Sequence, residues 1–140
     1  MGYDLNNATG AHVRFTGSGW SLALEIAEHY GWQSAGIPKP KSWNEDVDGP
    51  WEDEYFMNAG QQITAEDAKA LADALDRAVA APGFVETVQR LVVGLNEAVA
   101  QDNPERRDDL KPISREQAEG FRRRLVELAG FAHKGTFRIE

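Results

Sequence analysis

The sequence contains no cysteine among its 140 residues. This absence excludes disulfide bonds, thiolate nucleophiles and zinc sites with cysteine ligands, so the fold must be stabilised by packing. Hydrophobic residues make up 41% of the chain and charged residues 27%, which is typical of a globular protein and argues against general disorder. Because this length is that of one ordinary domain, we expect residues 1–140 to form a single globular domain.

Long hydrophobic runs are also absent. No stretch approaches the roughly 20 consecutive apolar residues that a membrane-spanning helix needs. The first residues, Met1 to Asn7, contain neither a cluster of bases nor an apolar run, so the sequence predicts no signal peptide. We therefore expect a cytoplasmic protein without a membrane partner, which agrees with the lack of cysteine.

Basic residues are scarce in the first half of the chain. Residues 1–64 contain three bases and nine acids, whereas residues 65–140 contain twelve bases and fourteen acids. Six of the acids fall in one short segment that has no base: Glu45, Asp46, Asp48, Glu52, Asp53 and Glu54. Such a segment repels the phosphates of nucleic acids and attracts basic proteins. The sequence therefore predicts a basic protein partner and no direct contact with nucleic acid.

Four segments have the apolar periodicity of amphipathic helices. The first is predicted over residues 20–30, with Ser18 as its N-cap and Gly31 as its C-terminal stop. The second follows Thr64, which begins a capping box that has Asp67 in place of the usual glutamate.

The third and fourth predicted helices lie in the second half of the chain. The third follows the break at Pro82-Gly83, and an exposed charged loop is expected over residues 103–112. The fourth follows Ser114, which can form a capping box with Gln117, and is expected to end at Gly130. Six leucines are predicted to lie in the core: Leu71, Leu75, Leu91, Leu95, Leu125 and Leu128.

Two short segments, His12–Phe15 and Thr136–Ile139, alternate polar and apolar residues as half-buried strands do. We expect the two segments to pair with each other above the helices. The predicted fold class is therefore mainly α, with about four helices, a minor two-stranded β element and a long ordered loop.

That loop is predicted over residues 32–58, where three prolines interrupt any regular element. Disordered linkers contain few aromatic residues, so a segment this rich in rings is expected to be ordered. Long ordered loops in small domains are more often functional than plain connectors. Five aromatic residues belong to it: Trp32, Trp43, Trp51, Tyr55 and Phe56.

Residues 44–49 match the opening of a calcium loop, with oxygen-bearing side chains at alternate positions and then a glycine. The match fails where a bidentate glutamate should close the loop, because that position is Tyr55. We therefore interpret the segment as an acidic turn and predict no metal site. Gly17-Ser18-Gly19 lies between a predicted strand and a helix, as a phosphate cradle does, but the third glycine of the dinucleotide fingerprint is replaced by Leu22.

No pattern in the sequence identifies a catalytic residue or a cofactor. The three histidines, His12, His29 and His133, share no metal-binding spacing, and a serine hydrolase motif is absent. Paired carboxylates are frequent, but acid–base catalysis needs environments that separate their pKa values. The sequence does not decide whether the protein is an enzyme, but the lack of a catalytic motif favours a non-enzymatic protein.

The stretch from Trp51 to Leu75 resembles a pattern of small uncharacterised bacterial proteins. That pattern has an aromatic residue, then Asn-x-Gly-Gln, then a helix with Asp-Ala-x-x-Leu-Ala. Here these are Tyr55, residues 58–61 and residues 67–72, and the C-terminal Gly-Thr-Phe-Arg-Ile is similar too. The resemblance implies a bacterial or phage origin and implies no activity.

Together these observations favour an acidic interaction protein of the inhibitor, immunity or adaptor type, binding a basic protein through the aromatic loop. The alternative is a small-ligand sensor or enzyme with a pocket between the first helix and this loop, containing His29 or His133. The sequence leaves the oligomeric state open. Nine residues are the predicted binding site: Trp43, Asp46, Asp48, Trp51, Glu52, Asp53, Glu54, Tyr55 and Phe56.

Overall fold

A computed structural model describes residues 2–140, and these residues form six helices and four strands. The strands are β1 (Gly2–Asn6), β2 (His12–Thr16), β3 (Gln61–Ile63) and β4 (Phe137–Ile139). The α-helices are α1 (Gly17–His29), α2 (Glu45–Asp48), α3 (Ala65–Ala80), α4 (Phe84–Asp102) and α5 (Arg115–Ala132), with a 3₁₀ helix at Pro104–Asp109. The chain is mainly α as predicted, but it has more helices and more strands than expected.

The four strands form one antiparallel sheet in the order β2-β1-β4-β3. The predicted pairing of β2 with β4 is wrong, because β1 lies between them. Leu5 of β1 is opposite Ile139 of β4, while Ile63 of β3 is opposite Phe137. Apolar periodicity did not indicate β1, because its other positions are Gly2, Asp4 and Asn6, which strands disfavour, and it did not indicate β3, which has one apolar residue after two glutamines.

One face of the sheet packs against α1 and α5, and α3 packs against these two helices. Alternate residues of every strand point into this core, so the pattern of period two is visible in the burial of each strand. The buried strand residues are Tyr3, Leu5, Val13, Phe15, Gln61, Ile63, Phe137 and Ile139. Trp20 of α1 and Phe84 of α4 are among the largest side chains that are fully buried.

The helix ends agree with the predicted signals at some positions and correct them at others. Thr16, not Ser18, is the N-cap of α1, because its hydroxyl accepts the Gly19 N–H at 3.0 Å. Gly31 adopts the expected left-handed conformation after α1, with φ 104°. The end predicted for α5 at Gly130 is wrong, since the helix continues to Ala132.

The capping box at the start of α5 is confirmed. The Ser114 hydroxyl accepts the Gln117 N–H at 3.0 Å, and the Gln117 side chain accepts the Ser114 N–H at 2.9 Å. Between α4 and α5, the segment predicted to be a loop contains the 3₁₀ helix, and its residues are exposed as expected except for Leu110, which is half-buried.

The break predicted at Pro82-Gly83 separates α3 from α4, which are bent by 117° relative to each other. Arg122 of α5 fastens this corner: it donates to the Val79 carbonyl, and its guanidinium lies 4.4 Å from the centre of the Phe84 ring. Among residues 2–140, no single helix is long and apolar enough to cross a membrane.

Four of the six predicted core leucines are fully buried: Leu71, Leu75, Leu125 and Leu128. Leu91 and Leu95 of α4 are only half-buried, so the prediction is wrong for these two. The apolar face of α4 is longer than the surface that the other helices cover. The uncovered part of α4 borders an open groove.

Candidate binding surface

The loop between α1 and β3 is anchored to the core by the buried carboxylate of Asp67, which is only 2% exposed. Its Oδ1 accepts the Trp32 indole N–H at 2.9 Å and the Ala35 N–H at 3.4 Å. Its Oδ2 accepts the Tyr55 hydroxyl at 2.5 Å. Asp67 lies in the first turn of α3, where the exposed N–H groups of a helix favour a negative charge. One carboxylate therefore holds both ends of the loop.

Tyr55 is the second anchor of the loop, and it is 8% exposed. Its hydroxyl also accepts the Gly36 N–H at 3.0 Å, and its carbonyl accepts the indole N–H of Trp20 at 2.8 Å. Burial, reinforced by the Asp67 carboxylate, raises the pKa of the Tyr55 hydroxyl well above its ordinary value. Tyr55 therefore stays neutral and acts as a hydrogen-bond donor.

Gln61 organises the turn that leads from the loop into β3. It is fully buried, and its amide nitrogen donates to the carbonyls of Met57 at 2.7 Å and Glu54 at 3.1 Å. Its amide oxygen accepts the Ala59 N–H at 3.0 Å. Gly60 follows this turn with a positive φ of 74°. Gly60 and Gln61 of the Asn-x-Gly-Gln pattern thus have a structural role in this turn.

Trp43 and Trp51 pack edge to face, with their ring centres 5.1 Å apart. The Trp51 indole N–H donates to the Ile37 carbonyl at 2.6 Å, and its ring rests against the core. The Trp43 indole N–H donates to the Gly49 carbonyl at 2.9 Å. Both rings are half-buried, so they fold the acidic segment between them into a compact turn.

We call residues 43–56 the acidic loop. Its exposed acids are Glu45, Asp46, Asp48, Glu52 and Asp53, while Glu54 is half-buried. Within residues 2–140, only Glu45 of these six has a cation within 4.0 Å, namely Lys39 at 2.9 Å. Two large apolar side chains are exposed beside the acids, Val47 at 79% and Phe56 at 47%. The acidic loop therefore presents unpaired negative charge together with apolar surface.

The nine predicted site residues thus occupy three kinds of environment. Tyr55 belongs to the core, and Trp43 and Trp51 support the acidic loop from the inside. Phe56 and four of the five predicted acids face solvent, while the fifth acid, Glu54, is half-buried like the two tryptophans. Sequence reasoning missed Val47, the most exposed large apolar residue of the described chain, because a single valine among acids resembles an ordinary helix residue.

The calcium-like segment forms the single turn of α2. The Asn44 side chain accepts the Asp46 N–H at 3.0 Å, and the Asp48 carboxylate accepts the Asn44 N–H at 3.0 Å. Two of the oxygen-bearing side chains in the match are therefore used as helix caps.

The three histidines lie apart from the acidic loop. His29 is exposed and packs edge to face on Tyr30, while His12 contacts Asp4 at 2.9 Å on the outer face of the sheet. The hydrogen bond from His12, followed by that from Arg14, holds the pKa of Asp4 below its ordinary value.

His133 lies 2.6 Å from Asp76, and with Asp73 these residues offer three potential metal-ligand atoms within 4.8 Å of one another. Zinc accepts such nitrogen and oxygen ligands. Asp73, however, already pairs with Lys69 at 2.9 Å, which competes with a cation for this carboxylate. The cluster is also exposed, so it lacks the dry surroundings of a structural metal site.

Two open grooves lie outside the acidic loop. One, of about 780 Å³, runs between residues 38–42 and the β3–β4 edge and includes Lys39, Lys41 and Arg138. Two of these three bases are already paired, Lys39 with Glu45 and Arg138 with Glu140 at 3.4 Å. The other groove, of about 710 Å³, borders the uncovered face of α4. The large apolar residues of α4 are the sequence signal for the second groove, but periodicity alone assigns them to the core.

No protein-family model matches this chain, and comparison with curated proteins and with solved structures yields no match either.

Proposed function

We propose that this protein is a non-enzymatic interaction protein of the inhibitor, immunity or adaptor type, which binds a basic protein through its acidic loop. The observation that carries the proposal is the composition of the exposed surface. Five acids of the loop, four of them exposed, have no cation partner among the described residues, and they lie in the same segment as the exposed side chains of Val47 and Phe56.

The physical argument concerns the cost of concentrated charge. Like charges within one short segment repel each other and weaken folding, so a loop with a purely structural role has no need of them. The same charges accelerate the encounter with a positively charged surface and disfavour acidic partners. The apolar groups supply the desolvated contacts from which most binding free energy arises.

The rigidity of the loop also supports this proposal. Asp67, Tyr55 and Gln61 fasten its base through buried hydrogen bonds, and the Trp43–Trp51 pair closes its tip. A surface that is ordered before binding loses less conformational entropy when a partner docks. The loop is therefore suited to recognise one partner of defined shape.

The alternative function needs a pocket for a small ligand between α1 and the acidic loop. In the structure, Trp20 of α1 is fully buried and is bonded there to the Tyr55 carbonyl. The groove that does border α1 lies between α1 and α4, and its lining includes Ser18, Ser21 and Leu22 but no residue of the acidic loop.

The test compares two triple charge reversals. The first is Asp46→Lys, Glu52→Lys and Glu54→Lys. Asp53 is left unchanged because its φ is 54° and its carboxylate lies close against Gly36. The matched control reverses three exposed acids of the 3₁₀ segment: Glu105→Lys, Asp108→Lys and Asp109→Lys. The two variants have the same net charge and differ only in where the charge lies.

Each variant is first cross-linked chemically to its binding partners in extracts of the cells from which the protein comes. The rate of association with the purified partner is then measured by stopped-flow at low and at high salt. We expect the control variant to retain a basic partner and the loop variant to associate at least about tenfold more slowly, with a weaker dependence on salt. Equal association rates for the two variants would contradict the proposal. So would a captured partner that is acidic. Thermal melting of both variants establishes that they are folded.

A further inference from the structure

The groove along α4 has apolar walls contributed by several parts of the fold. α1 supplies Leu22, α5 supplies Phe121, and the segment before α5 supplies Ile113. α4 itself contributes Val92, Leu95 and Val99, which are half-buried. We call this space, of about 710 Å³, the α4 groove. Its volume lies within the range of about 300–1,000 Å³ that is usual for sites that bind small molecules.

The outer wall of the α4 groove is held in place by hydrogen bonds from side chains of α4. Residues 110–113 form that wall, and two amide side chains of α4 bind their backbone. Asn96 donates to the Lys111 carbonyl at 2.9 Å, and Gln89 donates to the Ile113 carbonyl at 3.3 Å. The wall is thus kept beside α4 while the apolar side chains between them stay partly uncovered.

The polar side chains of the α4 groove favour a negatively charged group. Arg106 and Lys111 line it and are exposed, and neither has a carboxylate within 4.0 Å among residues 2–140. Asp102 is the one acid in the lining, so the bases are in excess. This is unusual in a protein whose net charge is −8. Ser18, in the first turn of α1, also lines the groove.

Apolar walls combined with a small excess of unpaired bases match an amphiphilic anion. A second copy of this chain is a poorer match, because two proteins that each carry a net charge of −8 repel each other. A cationic or neutral apolar molecule would fill the same volume but would leave Arg106 and Lys111 without a partner.

We propose that the α4 groove binds a small amphiphilic carboxylate, with its hydrocarbon part along Leu95 and Val99 and its carboxylate paired with Arg106 or Lys111. Guanidinium and ammonium groups bind carboxylates through charge-assisted hydrogen bonds, which are stronger than hydrogen bonds between neutral groups. This inference is independent of the acidic loop, which lies outside the α4 groove.

The test uses decanoate and the neutral decanol, both below the concentrations at which they aggregate, with isothermal titration calorimetry and NMR chemical-shift mapping on the full chain. We expect decanoate to bind with one-to-one stoichiometry and to shift the resonances of Leu95 and Val99. We expect decanol to bind at least about tenfold more weakly, because it lacks the charged group that pairs with Arg106 or Lys111.

Two pairs of variants locate the site. The double variant Arg106→Gln and Lys111→Gln is expected to bind decanoate no better than decanol. The matched control, Arg123→Gln and Lys134→Gln, removes two exposed bases that do not line the groove and is expected to bind like the wild type. Val99→Phe is expected to block binding by filling the groove, and its melting curve shows whether it folds.

Several results would overturn the proposal. These are equal affinities for decanoate and decanol, the absence of saturable binding, or chemical-shift changes at a site other than α4. A concentration-dependent dimer in sedimentation experiments that Val99→Phe disrupts would assign the groove to self-association instead.

Discussion

Asp67 is the residue on which the ordered state of the acidic loop depends most. If it is replaced by alanine, the Trp32 indole and the Tyr55 hydroxyl lose a charged acceptor in a buried place. We expect Asp67→Ala to lower the free energy of unfolding by about 3 kcal/mol. Losing a hydrogen bond to a charged group, or leaving a buried donor without an acceptor, each destabilises the folded state by about 1–3 kcal/mol. Urea denaturation measures the change. Glu66→Ala, an exposed neighbour in the same helical turn, is the control and should cost about 0.5 kcal/mol.

Trp51 and Phe56 should respond differently to truncation, although both belong to the acidic loop. Trp51→Ala removes a half-buried ring and its bond to Ile37, so we expect a loss of about 2 kcal/mol in the free energy of unfolding. Phe56→Ala should leave stability within about 0.5 kcal/mol and should instead accelerate dissociation of the partner. Surface plasmon resonance and thermal melting separate the two effects. A Phe56→Ala variant that unfolds would place this ring in the core.

The sequence indicates Asp67 as a helix-capping residue, and the structure shows why that interpretation is incomplete. The Thr64 hydroxyl does accept the Asp67 N–H at 3.2 Å, as the capping pattern predicts. The Asp67 carboxylate, however, turns inward to partners that lie 12 and 35 residues earlier in the chain. Local spacing identifies a cap, but it contains no information about which distant side chain returns to the same point. The burial of Tyr55 was unpredictable for the same reason.

At the scale of elements, α3 and α4 offer a direct comparison of apolar faces. Leu71 and Leu75 of α3 are fully buried, whereas Leu95 of α4 borders the groove and is half-buried. We expect Leu71→Ala and Leu75→Ala to lower the free energy of unfolding by about 2–5 kcal/mol each. Leu95→Ala should lower it by about 1 kcal/mol, because Leu95 buries a smaller apolar area on folding. Chemical denaturation of the three variants under the same conditions tests this. Equal losses would show that α4 is covered as completely as α3.

The four long helices were predictable because their apolar periodicity extends over many residues and their starts carry capping signals. The strands β1 and β3 were not predictable in this way. β3 has only three residues, two of which are glutamines, and its order depends on pairing with β4. The groove beside α4 was missed because a helical pattern shows which residues are apolar, but not whether another element covers them.

For the whole molecule, the pH dependence of stability follows from the exposed ion pairs. Hydrogen bonds to His12, Lys69 and Arg122 lower the pKa values of Asp4, Asp73 and Glu119 respectively. A carboxylate whose pKa is lowered by folding stabilises the folded state fully when the pH is above the ordinary pKa of about 4. This stabilisation is lost as the pH falls through the lower pKa of the folded state. We therefore expect the free energy of unfolding to decrease below about pH 4.5.

Urea titrations at a series of pH values measure this dependence. The raised pKa of Glu28, caused by burial and then by its neighbour Glu25, acts with the opposite sign, since it favours the folded state at low pH. We expect Asp4→Asn to make the fall in the free energy of unfolding at acid pH less steep. One carboxylate that is protonated more readily in the unfolded chain than in the folded one is then removed. A stability that is constant from neutral to strongly acid pH would contradict this account.

The sheet order has a consequence for the synthesis of the chain. β1 and β4 lie side by side at its centre, and the backbones of Asp4 and Glu140 exchange two hydrogen bonds of 2.9 and 2.7 Å. β3 has β4 as its only strand partner, so β3 cannot join the sheet until residues 137–139 have left the ribosome. A nascent chain that ends after α5 therefore holds every helix but only half a sheet. β3, into which the acidic loop leads directly, completes its strand pairing only after β4 has been synthesised.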